Sequence, residues 1–395
     1  MNFDSSRRGF LAGGLALPAL PALAAPQRKP IGMAQRTLGK TGLKVSPLGF
    51  GGRGTSEAGV LRRAFDLGVN FFDTGRMYAN SERLIGVALK DHRKDVIIAT
   101  KTAAPTKEKA LADLEISLKE LQTDYIDIWQ FQNGNTRPEG VTDEVLEALQ
   151  IAKKAGKVRF VGVTSHLNVP VMLDHMLKVG GCDVMLVGFN FTMGPDVSQA
   201  IEKARKAGMG IVAMKVLAGG FARIQASPPR SDGRWYTPGT IDAMVMTLKQ
   251  DGAMTAGIRW VLRNEFVDTS AVCMADYDQV DANVRALSQS FTPEDERLLT
   301  AKLAFLAPRY CRMCGTCNGV CDKGVRVSDM LRILAYAEGY RDFPLARQSY
   351  LDLPEHQRHI HWGIAGRVRS TARTEFRYAT GYSRPRDCSP ERGWN

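Results

Sequence analysis

From about residue 36 onward, the sequence alternates between short apolar runs and amphipathic stretches of helical length. Strands that alternate with helices of about 10–15 residues indicate βαβ units and a parallel sheet. Eight such units fill roughly 270 residues, which is the size of a (β/α)8 TIM barrel. A doubly wound sheet is the competing architecture, but it needs a G-x-G-x-x-G turn after the first strand, and GFGGRGT (49–55) does not supply one.

We therefore predict a barrel over residues 36–305. The segment QRTLGKTGLKVSPL (35–48) has a Gly-containing turn between two short strands, so we expect a hairpin ahead of the barrel. The predicted strands include 69–73, 95–100, 125–131, 158–163, 183–191 and 210–214, and the predicted helices include 57–67, 107–121, 142–155 and 197–207.

The composition is that of an ordinary globular protein, with 44% hydrophobic and 24% charged residues. It excludes disorder over most of the length, a fibrous repeat and a membrane protein with several spans. More than half of the net charge of +12 comes from residues 1–29 and 354–395. A basic surface patch is therefore not indicated, and we expect no nucleic-acid partner.

Residues 1–25 have the layout of a secretory signal. The pair Arg7 and Arg8 stands in the segment SRRGFL, which looks like a twin-arginine signal, and about a dozen small or apolar residues follow. This stretch is shorter than the roughly 20 residues of a membrane span, and Pro18 and Pro21 interrupt it. We expect export by the twin-arginine translocase to a periplasmic or extracytoplasmic location, without a stable membrane span.

Four of the seven cysteines form a C-x2-C-x2-C-x3-C run. Disulfides are one alternative for an exported chain, but cysteines two residues apart are poorly placed to bridge each other. A zinc site is another, although such sites more often use two separated C-x2-C pairs. The spacing matches ferredoxin ligands for a 4Fe–4S cluster, except that Asp322 stands where proline usually follows. We predict a helical iron–sulfur segment over 306–354, with Cys311, Cys314, Cys317 and Cys321 as ligands.

Polar residues follow several predicted strands at the end where a barrel carries its chemistry. Asp73 and Lys101 close the second and third barrel strands, and Tyr78 lies in the loop after Asp73. A phenol has a pKa near 10, and a neighbouring ammonium lowers it. The three residues can therefore form a proton-donor site. A structural ion pair beside a packed tyrosine is the alternative.

These residues lie within a resemblance to the aldo-keto reductase family. The matching pieces are RTLGKTGLKVSPLGFGG, FFDTGRMYANSE, ATK, DYIDIWQFQ, GKVRFVGVTS and QVDAN. The resemblance implies NAD(P)H and hydride transfer to or from a carbonyl carbon. It also implies Tyr78 as acid/base with Lys101 and Asp73 tuning it, and the cysteine run marks the family's iron–sulfur branch.

Two departures from the family pattern bear on chemistry. Gln132 stands where the family has a catalytic histidine, and it can donate a hydrogen bond but cannot relay a proton. Of the barrel histidines, His166 alone is expected near the mouth. The phosphate-binding positions are also altered, with Cys273 and Met274 in two of them and two acids nearby, so NAD and NADP both remain open. The residues that the resemblance assigns to the nucleotide are Thr164, Ser165, Asn190, Gln279 and Asn283.

The last residues, 355–395, lack convincing periodicity and contain many arginines but no lysine. A solvated tail is one interpretation. We hypothesise instead that the reading frame changed near residue 360, because a neighbouring frame can encode a second cysteine-rich run. The nucleotide sequence tests this.

Taken together, the sequence predicts an exported aldo-keto reductase-type oxidoreductase with NAD(P)(H), a 4Fe–4S cluster and a small carbonyl or alcohol substrate. The cluster either passes electrons to a partner or is structural. A redox carrier or binding protein on the same barrel, without carbonyl turnover, is the second hypothesis. Residues 226–240 form a longer predicted loop, which either covers the site with Trp235 and Tyr236 or uses these aromatic residues to pack the loop itself.

Overall fold

The structure is a computed structural model. It describes residues 33–55, 57–132, 137–166, 168–217, 252–306, 317, 321, 324–334, 337 and 343–354. The proposed signal at 1–25, the loop at 226–240 and the tail at 355–395 lie outside the described residues.

Eight parallel strands close into a barrel, and a two-stranded antiparallel hairpin precedes them. The last barrel strand pairs in parallel with the first, which completes the ring. The hairpin and the eight-stranded barrel predicted from the sequence are therefore confirmed. The hairpin consists of β1 (Arg36–Thr37) and β2 (Lys44–Val45), and the barrel of β3 (Leu48–Gly51), β4 (Phe71–Asp73), β5 (Ile97–Thr102), β6 (Ile126–Gln132), β7 (Val158–Ser165), β8 (Val184–Gly188), β9 (Gly210–Met214) and β10 (Thr269–Cys273).

The helices surround this barrel, and side chains that cap their backbones help to set where they begin. Thr106 and Thr142 each accept a hydrogen bond from the backbone N–H three residues later, and they begin α3 and α4. The helices around the barrel are α1 (Ala58–Asp66), α2 (Ser81–Leu89), α3 (Lys107–Glu120), α4 (Asp143–Lys154), α5 (Val169–Val179), α6 (Pro195–Lys206), α7 (Ala253–Leu262), α8 (Tyr277–Ala286) and α9 (Pro293–Leu306). Within the described part of 306–354 lie α10 (Val327–Leu334) and α11 (Phe343–Leu351).

Successive residues of a strand face opposite sides, so each barrel strand contributes to two cores. Trp129 and Phe131 of β6 point outward and pack in the large core between sheet and helices. Ile128 of the same strand lies in the smaller core inside the barrel, together with Phe71 and Leu186. The inward side of β6 continues to Gln130 and Gln132, so polar residues occupy the barrel interior only toward the carboxyl end of this strand.

The hairpin closes the amino-terminal end of the barrel. Leu38, Leu43 and Val45 are buried in the same interior core. Gly39 has a φ of +51°, and a Cβ there would lie 2.3 Å from the backbone nitrogen of Gly210. Only glycine fits this approach without strain. Because the hairpin covers this end, the carboxyl ends of the strands are the candidate side for a ligand.

The predicted strand 183–191 is shorter in the structure, where β8 ends at Gly188. The Asn190 side chain accepts hydrogen bonds from the backbone N–H and the hydroxyl of Thr192, at 3.0 and 2.7 Å. Such local side-chain bonds favour a turn over a continued strand. None of the helices within the described ranges is long and apolar enough to cross a membrane.

Candidate active site

Asp73 and Lys101 form a buried ion pair at the carboxyl ends of neighbouring strands. Asp73 is the last residue of β4 and pairs in register with Ala99, two residues before Lys101 on β5. The Lys101 Nζ donates to both carboxylate oxygens of Asp73 at 2.8 Å each, and to the carbonyl oxygen of Thr74. The Lys101 side chain is 1% exposed and that of Asp73 is 6% exposed.

The loop after β4 folds back over this pair. The Arg76 backbone N–H donates to the Lys101 carbonyl at 2.9 Å, and the Tyr78 N–H donates to the Gly75 carbonyl at 2.9 Å. A Cβ on Gly75 would lie 2.8 Å from the Cγ of Lys101, so glycine permits the close passage. The loop thereby brings Tyr78 to the ammonium group.

The Tyr78 ring lies beside two cations. The Lys101 Nζ lies 5.2 Å from the ring centroid, and the Arg53 guanidinium carbon lies 5.2 Å from the same centroid. The three ammonium protons of Lys101 already have acceptors in Asp73 and Thr74. Lys101 therefore acts on the Tyr78 ring mainly through its charge.

Burial controls the net electrostatics of the phenol. It raises the pKa of Tyr78 above its ordinary value of 10.0, although the charges of Lys101 and Arg53 oppose this shift. We expected Lys101 to lower the pKa of this tyrosine, and its interaction has that sign, but desolvation outweighs it. Burial lowers the pKa of Lys101, yet the Asp73 carboxylate more than compensates and raises it. At neutral pH the site thus holds a neutral phenol and a charged lysine.

Strands β6 and β7 extend the site with neutral polar groups. Gln130 pairs in register with Lys101, and Gln132 pairs with Thr164. Among the described residues, the Gln132 Oε1, the Thr164 Oγ1 and both amide atoms of Gln130 are buried and have no hydrogen-bond partner. Buried polar groups normally have partners, so these atoms are suited to contact a ligand.

The other residues assigned to a nucleotide lie at the same end of the barrel, but some of their polar groups already have hydrogen-bond partners within the chain. Ser165 ends β7 and is fully buried. The Asn190 amide donates to the Lys215 carbonyl at 3.0 Å, and the Gln279 amide donates to Asp276 at 2.7 Å. Asn283 lies one turn after Gln279 on α8 and is buried. In the structure, the amides of Asn190 and Gln279 are thus already engaged within the chain.

This geometry agrees with the comparison to known sequences. The sequence model of the aldo/keto reductase family matches residues 54–304. The chain belongs to this family. It is similar to L-galactose dehydrogenase from Arabidopsis thaliana, with 28% identity over 302 residues that cover 69% of this chain and 94% of the plant protein.

Other relatives agree with this assignment to the aldo/keto reductases. L-glyceraldehyde 3-phosphate reductase from Escherichia coli O157:H7 is 25% identical over 67% of this chain and 90% of its own length. An aldo-keto reductase from Bacillus halodurans in its holo form superposes with a TM-score of 0.54 and 28% identity, covering 69% of this chain and 96% of that structure. The matches support an oxidoreductase that uses NAD(P)H.

The cysteine run of this aldo/keto reductase is only partly described. Cys311 and Cys314 lie outside the described residues. Cys321 is buried in a small apolar cluster with Val325 and Val327, and Cys317 packs against the same cluster. Among the described residues, no group of three or more metal-binding side chains is found.

Three features of the site were not anticipated from the sequence. Arg53, which follows β3, lies over Tyr78. Glu82 is buried and accepts a hydrogen bond from Thr100 at 2.7 Å while pairing with Arg76. Met274, which fills a family phosphate-binding position, is fully buried in the core between barrel and helices. Only Arg53 had a sequence signal, namely a basic residue two positions after a barrel strand.

Proposed function

We propose that this aldo/keto reductase transfers a hydride between NAD(P)H and a carbonyl or alcohol substrate at the open end of the barrel. The observation that carries the proposal is the buried Asp73–Lys101 pair directly beside the Tyr78 ring. A phenol held neutral next to a fixed positive charge can give its proton to a substrate oxygen and retain stabilisation as a phenolate.

In the direction of reduction, Tyr78 donates its proton to the carbonyl oxygen as the hydride reaches the carbonyl carbon. Lys101 stabilises the resulting negative charge on the tyrosine, and Asp73 holds Lys101 in place and charged. Gln132 orients the substrate oxygen through its amide but keeps its own protons, because an amide does not titrate in this range. A nicotinamide, when bound, would supply or accept the hydride.

The nucleotide fits the residues at the strand ends only in part. The buried Thr164 hydroxyl lacks a partner among the described residues, which favours a ligand at the end of β7. Ser165, Asn190, Gln279 and Asn283 remain the other predicted contacts. For Asn190 and Gln279, contact with a nucleotide requires that the internal hydrogen bonds be shared or exchanged.

A 4Fe–4S cluster held by Cys311, Cys314, Cys317 and Cys321 belongs to the same proposal. The apolar cluster around Cys317 and Cys321 supports it, because thiolate ligands in a shielded environment suit iron–sulfur centres. The cluster would supply one-electron chemistry with an external electron-transfer partner, or it would stabilise the C-terminal segment. We also propose export by the twin-arginine translocase, on the evidence of residues 1–25.

A second candidate function is a redox carrier or binding protein without carbonyl turnover. The glutamine at position 132 and the internally bonded amide of Gln279 favour it. Such a protein would keep the barrel and the cysteine segment but would not reduce carbonyls.

Nucleotide titration followed by turnover separates the two candidates. Quenching of tryptophan fluorescence by NADH or NADPH, and reduction of a panel of aldehydes and ketones, support the reductase. Tyr78→Phe should then bind nucleotide normally but lose about 10²–10⁴-fold in kcat. Tyr125→Phe, just before β6 at the opposite end of the barrel, is the matched control and should keep full activity. Absence of nucleotide binding beside a reversible iron–sulfur signal would refute the reductase.

A further inference from the structure

The replacement of the family histidine by Gln132 leaves open which group, besides Tyr78, polarises the substrate oxygen. Among the described residues, His166 is the one histidine buried at the open end of the barrel, with 8% exposure. His92 lies before β5 at the sealed end, and His175 lies on α5.

The position of His166 follows from strand register. Thr164 faces the barrel interior opposite Gln132. His166 directly follows Ser165, the last residue of β7, and is buried at the open end of the barrel. The in-register partner of Gln132 is Thr164, two residues before His166.

The surroundings of His166 overlap with those of Tyr78. Burial lowers the pKa of His166 well below 6.5, and the charges of Lys215, Arg332, Lys101 and Arg53 lower it further. Two of these cations, Lys101 and Arg53, are the ones that lie over the Tyr78 ring. His166 is therefore a neutral imidazole at pH 7, close to the proposed proton donor.

One nitrogen of the His166 imidazole lacks a hydrogen-bond partner among the described residues. Within the described residues, the Nδ1 of His166 is buried and has no hydrogen-bond partner. A buried nitrogen left in this state is unfavourable, and a ligand that bonds to it removes the penalty. A ligand oxygen near Tyr78 and Gln132 is in the right region to do so.

We infer that His166, just after β7, donates a hydrogen bond to the substrate carbonyl oxygen alongside Gln132, in the role that the family gives to a histidine on β6. This inference rests on the proposed function. The neutral imidazole has one N–H donor and keeps its proton throughout. The proton added to the oxygen still comes from Tyr78, and the hydride still comes from the nicotinamide, so the atoms and electrons balance without His166.

A pair of variants separates this role from a packing role. His166→Asn keeps an N–H donor, whereas His166→Leu keeps much of the volume without one. With 4-nitrobenzaldehyde as the carbonyl probe, His166→Leu should lower kcat by about 10²-fold, as removal of a donor to a developing oxyanion does. His166→Asn should retain about tenfold more activity than the leucine variant. His175→Leu is the matched control and should keep the parent rate.

The nucleotide dissociation constant, measured by tryptophan fluorescence, accompanies every rate. An unchanged constant in both His166 variants supports a contact with the substrate. Equal losses of kcat in the Asn and Leu variants, parent-like activity of His166→Leu, or loss of nucleotide binding would each overturn the inference. If the parent protein binds nucleotide and reduces no carbonyl, the proposed function fails, and the inference fails with it. If the parent and His166→Leu are equally active, only the inference fails.

Discussion

Removing the ammonium group of Lys101 should destabilise the protein far more than removal of a lysine from a surface ion pair. In Lys101→Met, the Asp73 carboxylate keeps its buried position but loses a partner that donates to both of its oxygens at 2.8 Å. Breaking one side of a buried pair costs about 3–5 kcal/mol, because the remaining charge is uncompensated. We expect the free energy of unfolding to fall by that amount.

The control is Lys203→Met. Lys203 pairs with Asp174 at the same distance of 2.8 Å, but the two side chains are 65% and 45% exposed. Water screens such pairs, and their loss costs at most about 1 kcal/mol. Urea unfolding followed by circular dichroism measures both variants.

The double variant Asp73→Leu/Lys101→Met sharpens the test, because it removes both charges and should recover much of the loss. A Lys101→Met variant that unfolds within about 1 kcal/mol of the parent would contradict the argument, since it would mean that the pair is effectively solvated.

Three further predictions concern the pH dependence of activity, the turn of the hairpin and the cysteine segment. Burial raises the pKa of Tyr78 above 10.0, so the protonated donor is present below that value. The kcat/KM for carbonyl reduction should therefore be level from about pH 7 to 9 and decline only at higher pH. A decline centred near pH 7 would argue against this tyrosine as the proton donor. Gly39→Ala should lower the free energy of unfolding in urea by at least about 2 kcal/mol, because residue 39 has a positive φ and the new Cβ would clash with the backbone of Gly210. A Cβ at Gly42 would have nothing within 4 Å, so Gly42→Ala should lower the free energy of unfolding by less. Cys321→Ser should lose the brown colour and bound iron of anaerobically purified protein, whereas Cys182→Ser, in the barrel, should keep both; equal iron in the two variants would exclude Cys321 as a ligand.

Much of the fold was predictable, because the strands of a parallel barrel are buried on both faces and therefore read as short, nearly continuous apolar runs. The run at 210–214 matches β9 residue for residue, and that at 158–163 begins β7 correctly. The strand-end rule also located Asp73 and Lys101, since carboxyl ends of parallel strands meet at one end of a barrel.

The details of the site were less accessible from the sequence. The engagement of the Asn190 amide and the placement of Arg53 over Tyr78 depend on loop conformation, which has no periodic signal. The net shift of the Tyr78 pKa depends on how completely the loop excludes water, and sequence shows only which charges are near. The charges of Lys101 and Arg53 lower the pKa of Tyr78, but the larger effect of burial, which the sequence does not show, raises it.

The hairpin that seals the barrel has a consequence for synthesis on the ribosome. The guanidinium of Arg36 donates to the carbonyl oxygens of Val267 and Leu262, partners that are translated more than 220 residues later. At about 5–20 residues per second, these partners emerge roughly 10–50 s after the hairpin itself. During that interval the barrel interior does not yet exist, so Leu38, Leu43 and Val45 cannot be buried in it. The hairpin, which is synthesised first, is therefore among the last parts of the domain to pack. A nascent chain of this kind offers an early and lasting binding site to chaperones.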